Sequence, residues 1–568
     1  MKSQVFVILL LSFIIITQTV SAQETSLPMQ YYDRVQSARD KASDLYQIKD
    51  PSPADIAKCI EILKNTIRLL DSVPVEELAE GNIYLKGRRH DTYMDMVSAY
   101  SVGNQKDSAF VWLDRMFNEG SYSFMVSYLD KDSSFMNVRS DPRYTAIINK
   151  LKRQGDLYNN LAFKTPYKPD LSEEEKVSGL SLLWMEARNN FVYFDHLTAD
   201  WNKTYIDYLP LVKNTKSTAE YYKVLMRFYA QLKDGHTNVY PPKEISADFY
   251  SRPPMRTELI EGRVFVTQVF SDSLLKAGII PGLEVIKIDS APVIDYAEKN
   301  IKPYQSSSTP QDLQVREFCY ALLSGPAQKP IYFEFKTSAG KSFLKMVART
   351  GYHDIKNAGS IVYQSIGDIG YLQVNNFEDQ SINKQVDSLF KNEIVKTKGL
   401  VIDIRNNGGG DDGIAFNIIR KLSDKPAKVS ASKILKYYGR PGSEVSWYKN
   451  EPEQLNPDKK IIYDKPVMLL VGPKTFSAAE DFTVVFDYMK RGKIIGLPTG
   501  GSTGQPLRFD LPGGGSARVC SKRDTYPDGK EFVGIGIMPD ITVMKTVNDL
   551  LNGTDAVKNK AIALLSKN

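Results

Sequence analysis

The sequence predicts a multidomain α/β protein, and three observations carry this prediction. The chain has 568 residues, more than one hydrophobic core accommodates. Its first part shows apolar residues at helical spacing, whereas strand-like and helix-like segments alternate from about Gly359 onward. Such alternation is typical of a largely parallel or mixed sheet flanked by helices.

The amino-acid composition and net charge limit the classes of binding partner that we expect. The chain is 42% hydrophobic and 25% charged, which is ordinary for globular protein, and its net charge is +6. It contains no run of five or six basic residues of the kind that forms a nucleic-acid-binding arm. We therefore expect protein or peptide partners and no nucleic acid, and the sequence leaves the oligomeric state open.

The first 22 residues have the features of a signal peptide. Lys2 precedes a short apolar run, Val5–Ile16, and Val20-Ser21-Ala22 supplies the small residues that a signal peptidase accepts. The run is short for a bilayer span, although a retained membrane anchor is the alternative. We expect an exported protein without an integral membrane segment after cleavage, located in the periplasm, at the cell surface or in the extracellular medium.

The three cysteines do not suggest a metal site. Cys59, Cys319 and Cys520 are far apart and lack CxxC spacing, so at most one disulfide is expected. Asp411 and Asp412 have no further ligands at useful spacing and are read as solvated carboxylates at a helix start. The sequence predicts neither a metal nor a cofactor.

Residues 23–165 are predicted to form a helical domain. Ser52-Pro53 has the form of a helix cap and first turn, and one apolar face follows it at Ile56, Ile60, Leu63, Ile67 and Leu70. The later segment has small and aromatic residues placed as in a tetratricopeptide repeat, namely Ala99-Tyr100, Gly103, Ala109, Leu113 and Gly120. This tetratricopeptide-like region has a plain helical bundle as its alternative.

Residues 170–250 are predicted to form a helical subdomain opened by the capping box of Ser172 and Glu175. A second capping pair, Ser217 and Glu220, starts another helix. The apolar face of this helix consists of Tyr221, Leu225, Phe228 and Leu232. This helix is expected to end at Asp234-Gly235. His236 follows, held at the helix exit and facing away from the apolar stripe.

Residues 255–349 are rich in strand signals and resemble a PDZ domain. The resemblance lies in Ala277-Gly278-Ile279 and in the run from Gly282 to Ser290. PDZ domains add an extended peptide to a sheet edge. The loop Glu258–Gly262 lacks the glycine and apolar pattern that captures a C-terminal carboxylate, so recognition of free C-termini stays open. A structural flap without a bound peptide is the alternative.

Residues 359–568 are predicted to form an α/β core. The expected elements are the strands Ile369–Val374, Gly399–Ile404, Val467–Val471 and Pro506–Leu511 and the helices Ile382–Phe390 and Gly413–Leu422. Two of these strands break abruptly, one into Gly408-Gly409-Gly410 and the other into Thr-Phe-Ser-Ala-Ala-Glu around Ser477. A hydroxyl at a helix start beside a glycine turn supplies the parts for acyl transfer, a nucleophile and an oxyanion hole.

These motifs, in this order, resemble the family of C-terminal processing peptidases and tricorn core proteases. The resemblance spans about Leu171 to Val543 and includes Asp-Gly-His-Thr at His236, the PDZ-like segment, the glycine turn, Ser477 and Gly534–Asp540. It implies a ClpP/crotonase-like catalytic core. In the processing peptidases a lysine follows the nucleophile in a Thr-x-Gly-Lys-Gly pattern, but here Ser502 occupies that place, so the resemblance favours the tricorn-like branch with a histidine base.

The resemblance assigns roles to particular residues. Ser477 is the expected nucleophile, His236 the base and Glu531 the group that orients the imidazole, with Asp528 as the alternative acid. The N–H groups of Ala478 and Gly409 are the expected oxyanion donors, with Gly408 as the second choice for Gly409. Glu480 is read as the capping-box partner of Ser477. In tricorn-like sites an assisting hydroxyl precedes the histidine, where this chain has Gly235, and that role stays unassigned.

The sequence therefore predicts an exported serine endopeptidase that cuts extended or unfolded polypeptide through an acyl-enzyme. If Lys490 or Lys493 were instead essential, the base would be a lysine. One alternative is a non-catalytic family member that binds apolar ligands, as the photoreceptor retinoid-binding repeats do. Another is a protein whose helical N-terminal region docks a partner while the core is vestigial. The glycine-rich loop Thr499–Gly504 lacks a P-loop lysine and is not expected to bind nucleotide.

Overall fold

A computed structural model describes residues 27–73, 83–119, 126–158, 161–351, 359–436, 445–458 and 460–567. The predicted signal peptide and Gly120 lie outside these residues. The chain divides into two compact units, one ending at Ala146 and the other starting at Ile147. The finer domain boundaries given above remain predictions. Within the described residues, no helix has the length and apolarity needed to cross a bilayer.

The first unit is helical. Ser52 caps the second helix through a capping box with Asp55, and Pro53 occupies the first turn as predicted. The expected apolar residues Ile56, Ile60 and Leu63 are buried along that helix. The α-helices described in the first unit are Leu27–Tyr46, Pro53–Asp71, Ile83–Val102, Lys106–Glu119, Val126–Lys131 and Met136–Arg139. A further helix, Pro142–Tyr158, begins in the first unit and ends in the second.

Helical segments of the second unit connect and flank its sheets. The helices are Glu173–Asn190, Trp201–Lys213, Thr218–Ala230, Ser246–Tyr250, Asp272–Lys276, Val293–Asn300, Pro310–Val315, Ser381–Asn392, Asp412–Ile419, Ala478–Tyr488, Val547–Asn552 and Ala556–Leu565, with a π-helical segment at Arg316–Ala321. Short 3-10 turns among the described residues are Ser133–Phe135, Leu161–Phe163, Phe194–His196, Lys243–Ile245, Lys302–Tyr304 and Ile394–Lys396.

The caps expected in this unit are mostly present. Ser172 and Glu175 form the predicted capping box. Ser217 accepts the N–H of Glu220, but the Glu220 carboxylate accepts the N–H of Lys216 rather than returning to the cap. The helix ends at Ala230, four residues before the expected Asp234, because the chain already turns there through hydrogen bonds to Phe228 and Tyr229.

A six-stranded sheet forms the centre of the second unit. Its order is Ile541–Thr542, Gly492–Gly496, Val467–Val471, Gly399–Asp403, Ile369–Val374 and Ile361–Ile366. All neighbours are parallel except the last two strands, which form an antiparallel pair. The predicted alternation of strands and helices thus gives a mixed sheet that is mainly parallel.

Both faces are covered at the centre of this sheet, so its two central strands are buried and largely apolar. Leu400 and Ile402 pack into a core with the helices on one face, whereas Val401 packs with the C-terminal helix Ala556–Leu565 on the other. Burying each such side chain contributes about 1.5–3 kcal/mol. This explains why Val467–Val471 is an uninterrupted apolar run and why Leu400, Val401 and Ile402 are all apolar.

Smaller sheets surround the central one. One joins Asn238–Tyr240, Ser516–Cys520 and Pro506–Asp510; another joins Ser446–Asn450, Ala431–Lys436 and Lys522–Thr525; a short pair joins Ala427–Lys428 and Gln454–Leu455. The sheet in the predicted PDZ-like segment contains Met255–Ile260, Arg263–Val269, Glu284–Ile288, Ile331–Lys336 and Ser342–Val347, with Ala291–Pro292 paired to its third strand.

Candidate active site

Ser477 stands in a strained conformation between the strand Val467–Val471 and the helix Ala478–Tyr488, here called the serine helix. Its φ is 57° and its ψ −130°, a region that costs a non-glycine residue about 1–3 kcal/mol. Its side chain makes no capping hydrogen bond to the helix. The interpretation of Ser477 as a helix cap is therefore wrong, and the hydroxyl is directed away from the helix start.

His236 lies against this hydroxyl. The distance between His236 Nε2 and Ser477 Oγ is 3.1 Å, although 241 positions separate the two residues in the chain. The imidazole is buried and stacks on the ring of Phe476, with 4.8 Å between the ring centroids. The Asp234 carboxylate accepts the His236 backbone N–H and so fixes the turn that carries the ring.

The surroundings of His236 keep the ring neutral. Burial lowers the pKa of His236 well below its usual value of 6.5, and the nearby cations Arg518, Arg316 and Lys522 lower it further. A neutral imidazole has one protonated and one bare nitrogen. With the proton on Nδ1, the bare Nε2 faces Ser477 and is able to take its hydrogen.

The structure does not bring Glu531 to His236. Glu531 Oε1 instead accepts the Arg523 Nε–H at 3.0 Å, and Arg523 also binds the Asp195 carboxylate. Asp528 is exposed in a turn, where it accepts the Lys530 N–H. The prediction that either acid orients the imidazole is therefore not matched. The attraction of Glu531 to a largely buried guanidinium gives it a different partner.

The atom that meets His236 Nδ1 is the hydroxyl of Ser502, at 2.8 Å. Ser502 is fully buried, and its backbone carbonyl accepts the Ser477 N–H at 3.0 Å. Sequence reasoning placed Ser502 at the lysine position of the processing peptidases but gave it no role. The correspondence of Ser502 with that lysine was the one sequence signal for its location, because a residue in the place of a catalytic base is expected near the nucleophile.

Glu480 is the second residue whose place the sequence did not reveal. It does not form the expected capping box with Ser477. Its carboxylate accepts the Thr499 hydroxyl at 2.5 Å and the N–H groups of Gly501 and Ser502 at 2.8 Å each. Burial raises the pKa of Glu480 to about 8, although these donated hydrogen bonds lower it. Glu480 thus ties the serine helix to the loop that carries Ser502.

The turn after the strand Gly399–Asp403 lies beside Ser477, but its hydrogen bonds differ from the prediction. The Gly409 N–H donates to the side chain of Asn407 at 2.9 Å, so it is not free to bind an oxyanion. Among the described residues, the N–H groups of Gly408, Gly410 and Ala478 have no acceptor. Ala478 therefore keeps its predicted place, while Gly409 does not.

The direction of the Gly410 N–H follows from its bridge to Phe377. The Phe377 N–H donates to the Gly409 carbonyl and the Asp411 N–H donates to the Phe377 carbonyl. In a parallel bridge the N–H of the central residue points to the opposite side. The Gly410 N–H therefore points away from Phe377 and stays without an acceptor in the described part of the chain, as does the N–H of Gly408, the second choice of the sequence analysis.

The lysines considered as alternative bases are elsewhere. Lys490 pairs with Asp487 and Lys493 with Asp540. Both lie at the start of the strand Gly492–Gly496, whereas Ser477 follows the end of its parallel neighbour. Since parallel strands begin at one edge of a sheet and end at the other, these lysines are on the opposite edge from Ser477.

Within the described ranges, no three His, Cys, Asp or Glu side chains converge to hold a metal ion. The three cysteines are all unpaired. Asp412 is half-buried rather than solvated as predicted, and burial together with the neighbouring Asp481 raises its pKa to about 7. Its neighbour Asp411 caps the helix Asp412–Ile419 by accepting the Gly413 N–H.

Residues 368–543, which include the glycine turn, Ser477 and Ser502, match the family model described as Peptidase family S41. This part of the chain belongs to peptidase family S41. His236 precedes the region that the family model matches. Membership in this serine-type peptidase family agrees with the resemblance found in the motifs.

Curated proteins similar to this S41 chain match it in part. A "Carboxy-terminal-processing protease" of Bartonella bacilliformis is 26% identical over 208 residues, which cover 36% of this chain and 45% of that protein. A "Probable CtpA-like serine protease" of Staphylococcus haemolyticus is 24% identical over 282 residues, half of either chain. The S41 chain thus spans about half the length of these relatives or less.

Among solved structures, mature CPAF complexed with lactacystin resembles the S41 chain with a TM-score of 0.55 and 16% identity. The likeness covers 70% of this chain and 99% of that one. At this level of identity it shows a shared fold. The chain is therefore a multidomain α/β protein with a helical N-terminal region, and it resembles S41 protease structures.

Proposed function

We propose that this protein is a serine endopeptidase that hydrolyses peptide bonds in extended or unfolded polypeptides through an acyl-enzyme. The observation that carries the proposal is the 3.1 Å contact between the Ser477 hydroxyl and Nε2 of His236, a buried ring whose pKa is lowered well below 6.5 by burial. A serine hydroxyl attacks a carbonyl only when a base takes its proton, and this contact supplies the base.

The steps follow from the positions of these groups. His236 Nε2 takes the Ser477 proton as Oγ attacks the substrate carbonyl, and the imidazolium then gives that proton to the leaving amine. The Ala478 N–H at the start of the serine helix and a free N–H of the glycine turn, from Gly408 or Gly410, meet the negative oxygen of the tetrahedral intermediate. Water, activated by the same histidine, then hydrolyses the ester to release the second product.

The tricorn-like branch and export complete the proposal. A histidine base rather than a lysine supports the branch, and the N-terminal apolar run with its small residues supports export. Peptide binding by the PDZ-like segment and partner docking by the tetratricopeptide-like helices are parts of the same hypothesis. Among the residues that the structure describes, no contact comparable to that of Ser477 with His236 favours the non-catalytic alternatives.

The test combines labelling with turnover. Wild-type protein should react with a fluorophosphonate probe and cleave an unfolded protein such as reduced casein. Ser477→Ala should lose both, and His236→Ala should lose at least about 10⁴-fold in kcat, with the thermal transition of each nearly unchanged. Lys493→Ala, on the opposite sheet edge, is the matched control and should retain activity.

Residual casein cleavage by Ser477→Ala at the wild-type rate would reject the nucleophile assignment. Loss of activity in Lys493→Ala alone would point to a lysine base. A wild-type protein that neither reacts with the probe nor cleaves casein, and that co-purifies with an apolar ligand, would support the binding-protein alternative instead.

A further inference from the structure

Ser502 occupies the position at which a histidine base is usually held by a carboxylate. Its hydroxyl is 2.8 Å from His236 Nδ1, the nitrogen that must carry the proton if Nε2 is to act as base. We propose that Ser502 is a positioning residue that selects the reactive tautomer of His236 with a neutral hydroxyl instead of an acid. This inference rests on the proposed function.

The space around Ser502 shows how the chain accommodates it. A Cβ atom added at Gly235 would lie 2.9 Å from Ser502 Oγ and 2.7 Å from the ring of Phe476. A side chain at position 235 would therefore displace the hydroxyl from the imidazole. Because Gly235 has no side chain, the volume beside the His236 ring is left open at the position before the histidine. The Ser502 hydroxyl, from a distant segment of the chain, lies in that volume.

Ser502 is anchored independently of His236. Its N–H donates to Glu480 Oε2 at 2.8 Å, and its carbonyl accepts the Ser477 N–H at 3.0 Å. Glu480 lies on the serine helix one turn after the nucleophile. The helix that presents Ser477 thus also holds the backbone of Ser502. Fixing a base by a residue that is itself packed and hydrogen-bonded preserves catalytic geometry.

A hydroxyl at Nδ1 has an electrostatic consequence that an acid lacks. It accepts the Nδ1 hydrogen without adding a negative charge, so it does not raise the affinity of the ring for a second proton. The titratable and charged groups near His236 come from several elements: Asp234 from its own turn, Arg316 from the π-helical segment, Arg518 and Lys522 from neighbouring strands, and Glu480 from the serine helix. Burial has the largest effect and lowers the pKa of His236 well below 6.5, and the three cations lower it further.

The tautomer is measured directly by ¹⁵N NMR of the histidine rings in a Ser477→Ala background. This measurement does not depend on peptidase activity. We expect the hydrogen of His236 on Nδ1 when Ser502 is present and a mixture of tautomers in Ser502→Ala. Thr503→Val is the matched control, because the Thr503 hydroxyl is buried in the same loop but donates to Asp481 at 2.9 Å. It should leave the His236 signals unchanged.

Activity provides the second measurement. Ser502→Ala should lower kcat for peptide cleavage by about 10- to 100-fold, the rate equivalent of one hydrogen bond to a charged group, with little change in KM. Ser502→Thr keeps the hydroxyl and should restore most of the rate. Ser502→Asp should move the acid limb of the kcat/KM profile to higher pH by about 1–2 units, because a carboxylate favours the imidazolium.

If Ser502 had a purely structural role, its substitution would lower the yield of folded protein. It would change neither the tautomer of His236 nor the acid limb of the kcat/KM profile. The proposal is overturned if His236 carries its hydrogen on Nε2 in the Ser477→Ala protein, or if Ser502→Ala leaves the ring signals unchanged. If the tautomer depends on Ser502 but wild-type protein cleaves no peptide, the proposed function fails while the positioning role stands. If Ser502→Asp does not fold, the comparison of Ser502→Ala with Ser502→Thr still decides the matter.

Discussion

Glu480 is the residue whose charge state couples the site to stability. It is fully buried, and burial raises its pKa to about 8 despite the hydrogen bonds from Thr499, Gly501 and Ser502. In the unfolded chain a glutamate titrates near 4.5. A carboxyl whose folded pKa is higher than its unfolded pKa stabilises the fold fully below about pH 4.5, and this contribution is lost as pH rises through about 8.

Glu480→Gln is therefore expected to change the pH dependence of stability. The amide keeps the shape but does not titrate, so the stability that wild-type protein loses between about pH 5 and 8 should shrink by a few kcal/mol in the variant. Thermal unfolding at a series of pH values measures this. Asp528→Asn, at an exposed turn, is the control and should follow wild type. Equal slopes for wild type and Glu480→Gln would contradict the prediction.

At the scale of elements, two neighbouring strands place the catalytic loops side by side. Gly399–Asp403 and Val467–Val471 run parallel with Leu400 opposite Val467, so both end at the same sheet edge. The turn after the first strand and the segment after the second then meet. This is the common location of active sites in open α/β sheets.

This close approach requires a glycine at position 409. Its φ is +99°, and a Cβ atom there would lie 2.7 Å from Ser477 Cβ and 2.8 Å from the Phe476 carbonyl oxygen. A Cβ at Gly408, in contrast, would have no atom within 4 Å. Position 408 therefore has room for a side chain, whereas position 409 does not.

We expect Gly409→Ala to lower the free energy of unfolding by about 1–3 kcal/mol and to displace Ser477, because both the backbone conformation and the contact resist a side chain. Gly408→Ala should change stability by less than about 1 kcal/mol. Urea unfolding of the two variants measures the difference. Equal destabilisation would show that the turn rearranges freely.

At the scale of the whole second unit, the predicted PDZ-like sheet is linked to the nucleophile segment. Glu258 on the strand Met255–Ile260 pairs with Lys474 at 3.0 Å and with Lys545 at 2.9 Å. Burial raises the pKa of Glu258, but the two lysines outweigh this effect and lower the pKa to about 2. Glu258 therefore stabilises the fold above about pH 4.5, and this contribution is lost as pH falls toward 2.

Glu258→Gln should destabilise the protein by about 1–3 kcal/mol, since it leaves the largely buried Lys474 ammonium without its counter-charge. Lys545→Gln removes the more exposed partner and should cost less than about 1 kcal/mol. Urea unfolding near pH 7 compares the two variants. A larger loss in Lys545→Gln would reverse the ranking of the two ion pairs.

Several parts of the architecture could be predicted because they depend on local patterns. The apolar runs at Ile369–Val374 and Val467–Val471 are strands with those limits. The capping box at Ser172 and the glycine turn are where the residue types placed them. Such signals come from backbone preferences and from the period of burial, which neighbouring residues carry.

The sequence by itself determined the fold class, the family resemblance and the residues Ser477 and His236 as candidates, because each of these belongs to a contiguous motif. Only the tertiary structure decided that Ser502 rather than Glu531 meets the imidazole, that Glu480 binds a distant loop rather than its own helix, and that the Gly409 N–H is already occupied. Hydrogen-bond partners are selected by distances of about 3 Å between segments hundreds of residues apart, and linear spacing carries no measure of those distances.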